Sequence, residues 1–325
     1  MEYTQLGRSG LSVSRLVLGT MNFGPETSEP DSHAIMDKGH ELGINFFDTA
    51  NVYGWKKGEG VTEKIIGNWF AQGGQRREKT ILATKLYGSM SDWPNDTFLS
   101  ARNIRKACDD SLKRLQTDYI DLYQMHHVDL NTPWDEIWEA FSVLRQQGKV
   151  LYFGSSNHAG WHIAQAQEAA KQRHLLGLVC EQSIYNLLER TVELEVLPAA
   201  RAYGLGVIPW SPLMGGLLGG ILQKGGEGRS SSSTARERMN KYRPKVEAYE
   251  KFCADFGEDA ANVGLAWVLH QPGVTGPIIG PRTLEQLTGS VRALEIKFSD
   301  DDLSRLDDIS GATSPGKPAP EAYAW

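Results

Sequence analysis

Cysteine is scarce in this 325-residue chain: Cys108, Cys180 and Cys253 are the only three. They are odd in number and far apart, and no pair has metal-ligand spacing. They read as reduced apolar fillers rather than a disulfide framework or a metal centre. Long apolar runs are missing too, and none approaches the ~20 residues that span a bilayer. The N-terminus, MEYTQLGRSGLSVSRL, has no basic region followed by an apolar stretch, so it is not a signal peptide. Positive charge is not in excess: 34 Lys and Arg against 40 Asp and Glu give a formal net charge of -6. That argues against a nucleic-acid or anionic-membrane partner. The expectation is a cytoplasmic protein that acts on a small molecule, without metal, nucleic acid or membrane.

What is present is a rhythm. Short β-type runs alternate with longer helical patterns. SRLVLGT (14–20), INFFDT (44–49), TILATK (80–85), YIDLYQMH (119–126), VLYFGSS (150–156), GLVCEQ (177–182), GVIPW (206–210) and GPIIG (276–280) read as strands. Between them lie helical patterns over 33–43, 61–72, 103–116, 135–148, 161–173, 192–204 and 261–271. Several strands lack polar alternation, as expected of parallel strands buried on both faces. A doubly wound dinucleotide-binding sheet would carry a G-x-G-x-x-G turn after its first strand. Here that strand runs into GTMNFG, which does not match. The chain therefore reads as a (β/α)8 TIM barrel, one domain over 1–325, with an N-terminal β-hairpin over 1–13 turned at Gly10 and closing the barrel bottom. One segment breaks the rhythm: 214–245 is rich in Gly, Ser, Arg and Lys and reads as a long irregular insertion above the barrel's C-terminal face.

Barrel active sites gather past the C-terminal ends of the strands. Asp48 ends the second strand and Tyr53 follows it. Lys85 ends the third and His126 the fourth. Each alone would pass as an ordinary loop or structural residue. On three consecutive strand ends they converge on one volume. With no cysteine nucleophile, Ser–His pair or metal cluster among them, they suggest proton transfer. Lys85 would lower the pKa of the Tyr53 hydroxyl, Asp48 would hold Lys85, and a neutral His126 would orient a substrate oxygen.

At these residues the chain resembles the aldo-keto reductase family. GTMNFG, GINFFDTANVYG, ILATK, LKRLQTDYIDLYQMH, GKVLYFGSSN, EQSIYNLLER, GVIPWSPL and IIGPRTLEQL look like its signatures, in its order. The resemblance implies reduction of an aldehyde or ketone with NADPH. Asp48, Tyr53, Lys85 and His126 match the catalytic tetrad, with Tyr53 as general acid. His126 is preferred to its neighbour His127. Ser156, Asn157 and Gln182 match positions that hold the nicotinamide carboxamide, and Trp210 one that stacks on its ring. Gly19, Thr20 and Met21 line the same end, with Asp48 beside them and Gly280 ending the last strand. Ser211, Pro212, Leu213, Gly215 and Gly216 match a pyrophosphate loop. Arg282 and Gln286 match a 2'-phosphate site, which implies NADP(H). Ser290 stands where related sequences often carry an adenine-binding Asn. The 214–245 insertion matches a cofactor-covering loop, in which Arg236, Arg238 and Lys241 are candidate phosphate contacts.

The nearest resemblance is to bacterial members related to potassium-channel β-subunits and to reductases of nucleotide-linked ketosugars. A ketosugar substrate is therefore one expectation, and a redox-sensing NADPH-binding subunit with little turnover the alternative. A metal-dependent barrel hydrolase or aldolase is a further rival, but the remaining strand ends offer it no clear ligands. Trp55 and Tyr87 lead the candidate substrate contacts beside His126, followed by Trp93, Trp134 and the terminal PEAYAW. A homo-oligomer is left open.

Overall fold

The computed structural model describes residues 1–223 and 233–311, without the side chains of 233–236 and 238. Two short strands, β1 (Tyr3–Gln5) and β2 (Ser12–Ser14), form an antiparallel hairpin. Eight parallel strands follow: β3 (Val17–Gly19), β4 (Phe46–Asp48), β5 (Ile81–Leu86), β6 (Ile120–Met125), β7 (Val150–Ser156), β8 (Leu178–Gln182), β9 (Gly206–Val207) and β10 (Ile278–Ile279). They neighbour one another in chain order from β3 to β9, with β10 beside β3. Thr275 donates to the Val207 carbonyl at 2.8 Å and Ile278 to the Pro209 carbonyl at 2.8 Å, which closes the ring. The molecule is a (β/α)8 barrel with an N-terminal hairpin.

The described α-helices are α1 (Glu29–Glu41), α2 (Val61–Ala71), α3 (Ala101–Leu115), α4 (Trp134–Gln146), α5 (Gly160–Gln172), α6 (Val196–Tyr203), α7 (Ser233–Phe256), α8 (Ala260–His270), α9 (Leu284–Ser290) and α10 (Asp300–Ser310). Local chemistry sets several starts. The Ser28 hydroxyl accepts from the Asp31 N–H, so α1 begins four residues before its expected start. The Ser100 hydroxyl accepts from the Asn103 N–H at the start of α3. A reciprocal Ser299–Asp302 capping box opens α10.

The hairpin's turn differs from expectation. It runs over Leu6–Leu11, closed by the Leu6 N–H on the Leu11 carbonyl, and its left-handed residue is Gly7 (φ 54°), not Gly10. A Cβ at Gly7 would stand 2.6 Å from the Gly204 carbonyl, the Gly206 nitrogen and the Val179 carbonyl. Only glycine lets the turn press that close to the barrel floor. Leu6 and Val13 thereby join Val17, Phe46, Ala83, Leu122, Val179, Cys180 and Ile208 in the apolar core inside the barrel.

The 214–245 segment is also not irregular throughout. A short helical turn covers Met214–Gly216, and α7 begins at Ser233 and runs on to Phe256. The side chains of Arg236 and Arg238, and the whole of 320–325, lie outside the described residues. Lys241 is exposed, its ammonium 5.0 Å from the Tyr242 ring centroid. Among the described residues no helix is long and apolar enough to cross a membrane.

If the hairpin is a working part of the core, Leu6→Ala should destabilise the protein by about 2–5 kcal/mol, the range for emptying a packed site. Chemical denaturation measures it, and a negligible loss would show the hairpin to be dispensable.

Candidate active site

Side chains of a strand alternate between faces. Along four strands the inward position changes from apolar to polar toward the C-terminal end. Phe46 gives way to Asp48, Ala83 to Lys85, Leu122 to Gln124 and Cys180 to Gln182. A charged and amide layer therefore lies directly on the apolar plug. All four polar side chains are buried: Asp48 is 2% exposed, Lys85 and Gln124 0%, and Gln182 3%.

The layer is fully cross-linked around one carboxylate. Asp48 Oδ2 accepts from Lys85 Nζ at 2.7 Å. Asp48 Oδ1 accepts from Gln182 Nε2 at 2.8 Å and from Gln124 Nε2 at 3.1 Å. Lys85 Nζ also donates to the Thr49 carbonyl at 2.9 Å and to the Tyr53 hydroxyl at 3.3 Å. An ammonium has three protons and no acceptor, so these three bonds use it completely. The Tyr53 oxygen accepts the third, which leaves its own proton free to be donated elsewhere.

The loop after β4 brings Tyr53 back over the layer. Thr49 N–H bonds to the Ala83 carbonyl, Asn51 N–H to the Lys85 carbonyl and Tyr53 N–H to the Ala50 carbonyl. The His126 ring meets Tyr53 edge-on with centroids 6.0 Å apart. Its neighbour His127 stacks on His126 and packs against Tyr87 instead.

Electrostatics follow from this burial. Burial favours the neutral Tyr53 hydroxyl, the Lys85 ammonium opposes it, and the Asp48 carboxylate reinforces it; the pKa ends above the ordinary tyrosine value. Lys85 pulls the value down, as expected, but burial outweighs the ammonium and Asp48 adds to burial, so the net shift is upward. Burial also works against the Lys85 ammonium, but Asp48 and Tyr53 outweigh it and its pKa is raised. The His126 imidazole is pushed far below its usual range by burial, then by Lys85 and His127, and is neutral.

The other expected residues fall on the same end of the barrel. Gly19 pairs with Asp48 across β3 and β4, and the Thr20 hydroxyl bonds to the Asp48 carbonyl at 2.9 Å, while Met21 is exposed. Asn157, at a left-handed φ of 58°, donates to Ser156 Oγ and to the His126 carbonyl. Trp210 Nε1–H donates to Asn157 Oδ1 at 3.0 Å. Ser211 and Met214 also have positive φ, at 52° and 51°. Strained backbone of this kind concentrates in functional loops. Pro212 and Leu213 lie between them, and a Cβ on Gly216 would meet nothing within 4 Å, so open space lies over the loop. Asn22 Nδ2 donates to the Gly280 carbonyl at 2.9 Å. Gln286 accepts from the Arg282 N–H, and the Ser290 hydroxyl bonds back to the Gln286 carbonyl. Trp55 and Trp93 are exposed, and Tyr87 is in edge contact with Phe98 and His127.

Three buried groups of this region were missed from the sequence. Gln124 sits mid-strand, where its polarity among apolar neighbours was the available signal. Glu63 of α2 accepts from Thr84 Oγ1 at 2.6 Å and from Arg114 Nε at 2.7 Å, tying the end of the Tyr53 loop to the residue beside Lys85. Glu181 accepts from the Ser155 and Ser183 hydroxyls and from the His158 N–H. Burial pushes its carboxyl up to about 7 despite these bonds. It holds the turn that carries Ser156 and Asn157.

With both pKa values raised, the folded protein keeps the Tyr53 and Lys85 protons above the pH at which an unfolded chain releases them. Their contribution to stability is full at neutral pH and is lost as pH climbs past about 10. The difference titration between the protein and Tyr53→Phe should show one phenol ionising above that value; ionisation below it would contradict the geometry.

The chain is similar to known proteins along nearly its whole length. A sequence model of the Aldo/keto reductase family matches residues 15–310. A Bacillus subtilis protein named uncharacterized oxidoreductase YrpG is 57% identical over all of both chains. The Escherichia coli protein Tas is 33% identical over 95% of this chain and 97% of its own. A rice protein named as a probable voltage-gated potassium channel subunit beta is 33% identical over 91% and 92%. The chain belongs to the aldo/keto reductase family, oxidoreductases that act on small carbonyl compounds.

Proposed function

We propose that the protein reduces an aldehyde or ketone to the alcohol with NADPH, and that Tyr53 delivers the proton. The observation that carries this reading is the Tyr53 hydroxyl accepting a hydrogen bond from a buried ammonium that is itself held by Asp48. A proton donor must be protonated at working pH, and burial keeps Tyr53 so. Its conjugate base must also be tolerated, and the Lys85 ammonium 3.3 Å away supplies the charge that stabilises a phenolate.

When bound, the reduced nicotinamide supplies the hydride. Ser156, Asn157 and Gln182 would hold its carboxamide and Trp210 its ring. The glycines at 215 and 216 would allow backbone N–H groups to approach the pyrophosphate, and Arg282 would take the 2'-phosphate, whose charge and geometry suit a guanidinium fork. The substrate carbonyl carbon gains the hydride while its oxygen takes the Tyr53 proton. Lys85 then faces a phenolate, which is reprotonated from solvent. Neutral His126 donates a ring N–H to the same oxygen and orients it. The exposed Trp55 ring and Tyr87, which packs against His127, would offer flat apolar surface that suits a ring-bearing substrate, a sugar among them.

The relationship to the rice channel-subunit homologue supports a second reading, an NADPH-binding regulatory subunit with little turnover. One experiment addresses both. Tyr53→Phe should bind NADPH as the parent does and lose about 10²–10⁴ of kcat, the usual contribution of a general acid. Near-normal turnover in this variant would exclude Tyr53 as the donor. A parent protein that oxidises no NADPH with any of a panel of aldehydes and ketones would favour the regulatory reading.

A further inference from the structure

Arg282 is not a free cation. Its Nη1 lies 3.3 Å from Glu26 Oε2, on the loop that follows β3 at the same end of the barrel. Both side chains reach solvent, with Arg282 25% and Glu26 45% exposed. Such a pair adds little to stability, so fold stability alone does not explain why a carboxylate is placed on the guanidinium fork read as the 2'-phosphate contact.

The placement is built into the backbone. Glu26 N–H and Thr27 N–H both donate to the Asn22 carbonyl, at 2.9 and 3.0 Å, and Gly24 N–H donates to the Thr27 carbonyl at 2.8 Å. The turn is pinned on two sides. Asn22 Nδ2 donates to the carbonyl of Gly280, two residues before Arg282. Phe23 is fully buried, and its carbonyl accepts from Thr62 Oγ1 at 2.9 Å. The Glu26 side chain can swing, but its Cα cannot leave. When a phosphate takes the fork, a negative charge stays within a few ångströms of it.

We infer that Glu26 is a specificity-setting residue of the cofactor's adenosine end: it competes with the 2'-phosphate for Arg282 and holds the preference for phosphorylated over unphosphorylated cofactor below what Arg282 alone would give. The inference rests on the reading of Arg282 as the 2'-phosphate contact. Two effects act in the same direction. The ion pair must open before the phosphate binds, and the displaced carboxylate then repels it. Neither effect touches a ligand without a 2'-phosphate. Both are electrostatic and partly solvent-exposed, so both weaken with salt.

Calorimetric titration with 2',5'-ADP and with 5'-AMP tests the inference without turnover. Glu26→Gln keeps the side-chain length and removes the charge. It should bind 2',5'-ADP about three- to tenfold more tightly at low salt, a gain expected to shrink at high salt. Binding of 5'-AMP should be unchanged. Arg282→Ala should abolish the preference for 2',5'-ADP over 5'-AMP, with or without Glu26→Gln. If Arg282→Ala abolishes it and Glu26→Gln leaves 2',5'-ADP binding unchanged or weaker, the role given to Glu26 is overturned while the phosphate site stands. If Arg282→Ala preserves the preference, the phosphate reading fails and takes the inference with it.

Discussion

A carboxylate and an ammonium, Asp48 and Lys85, meet at 2.7 Å inside the barrel, almost wholly removed from water. Taking two charges out of water is costly, and further hydrogen bonds to both partners offset that cost. Gln124 and Gln182 complete Asp48, while the Thr49 carbonyl and the Tyr53 hydroxyl complete Lys85. Removing one partner of such a pair leaves an uncompensated buried charge, a loss of about 3–5 kcal/mol. The interior below depends on the same logic. Leu6, Val13, Phe46 and Leu122 fill the floor and exclude water, and that exclusion makes the pair's field strong enough to matter.

The pair's effect on Tyr53 is subtler than a simple lowering of its pKa. Lys85 favours the phenolate, Asp48 disfavours it, and burial disfavours it more than either. The resting hydroxyl is therefore firmly protonated. In the proposed reaction the ammonium would act on the ionised state, through a hydrogen bond already in place before any proton moves. Preorganisation of that kind needs no rearrangement at the moment of transfer. His126, desolvated and next to a cation, is kept neutral and so keeps a ring N–H without adding another charge.

Much of this was legible from the order of residues. Strands buried on both faces leave continuous apolar runs, and a polar residue closing such a run is conspicuous; Asp48, Lys85 and His126 were found that way. Gln124 was passed over because it lies one turn of the strand alternation earlier, inside the run rather than at its end. Glu63 and Glu181 were missed because charged residues on a helix or next to a strand end are usually solvated, and only the fold shows what surrounds them. The helical part of the 214–245 segment was hidden by the Gly- and Ser-rich stretch before it, although its Arg and Lys are good helix formers and Met239 and Tyr242 pack against the core. Likewise the hairpin's turn was assigned to the wrong glycine, because Gly7 is required by a close approach to the distant residues Val179, Gly204 and Gly206, which no local pattern records.

The central claim is that the Asp48–Lys85 pair serves chemistry through Tyr53 and by no other route. A double-mutant cycle on the single-turnover rate of NADPH oxidation by an aldehyde measures this directly, using Asp48→Asn, Tyr53→Phe and the two combined. If the account holds, each single change slows the step strongly and the double variant is scarcely slower than Tyr53→Phe alone. Losses that simply multiply would mean that Asp48 acts independently of Tyr53, and would contradict it.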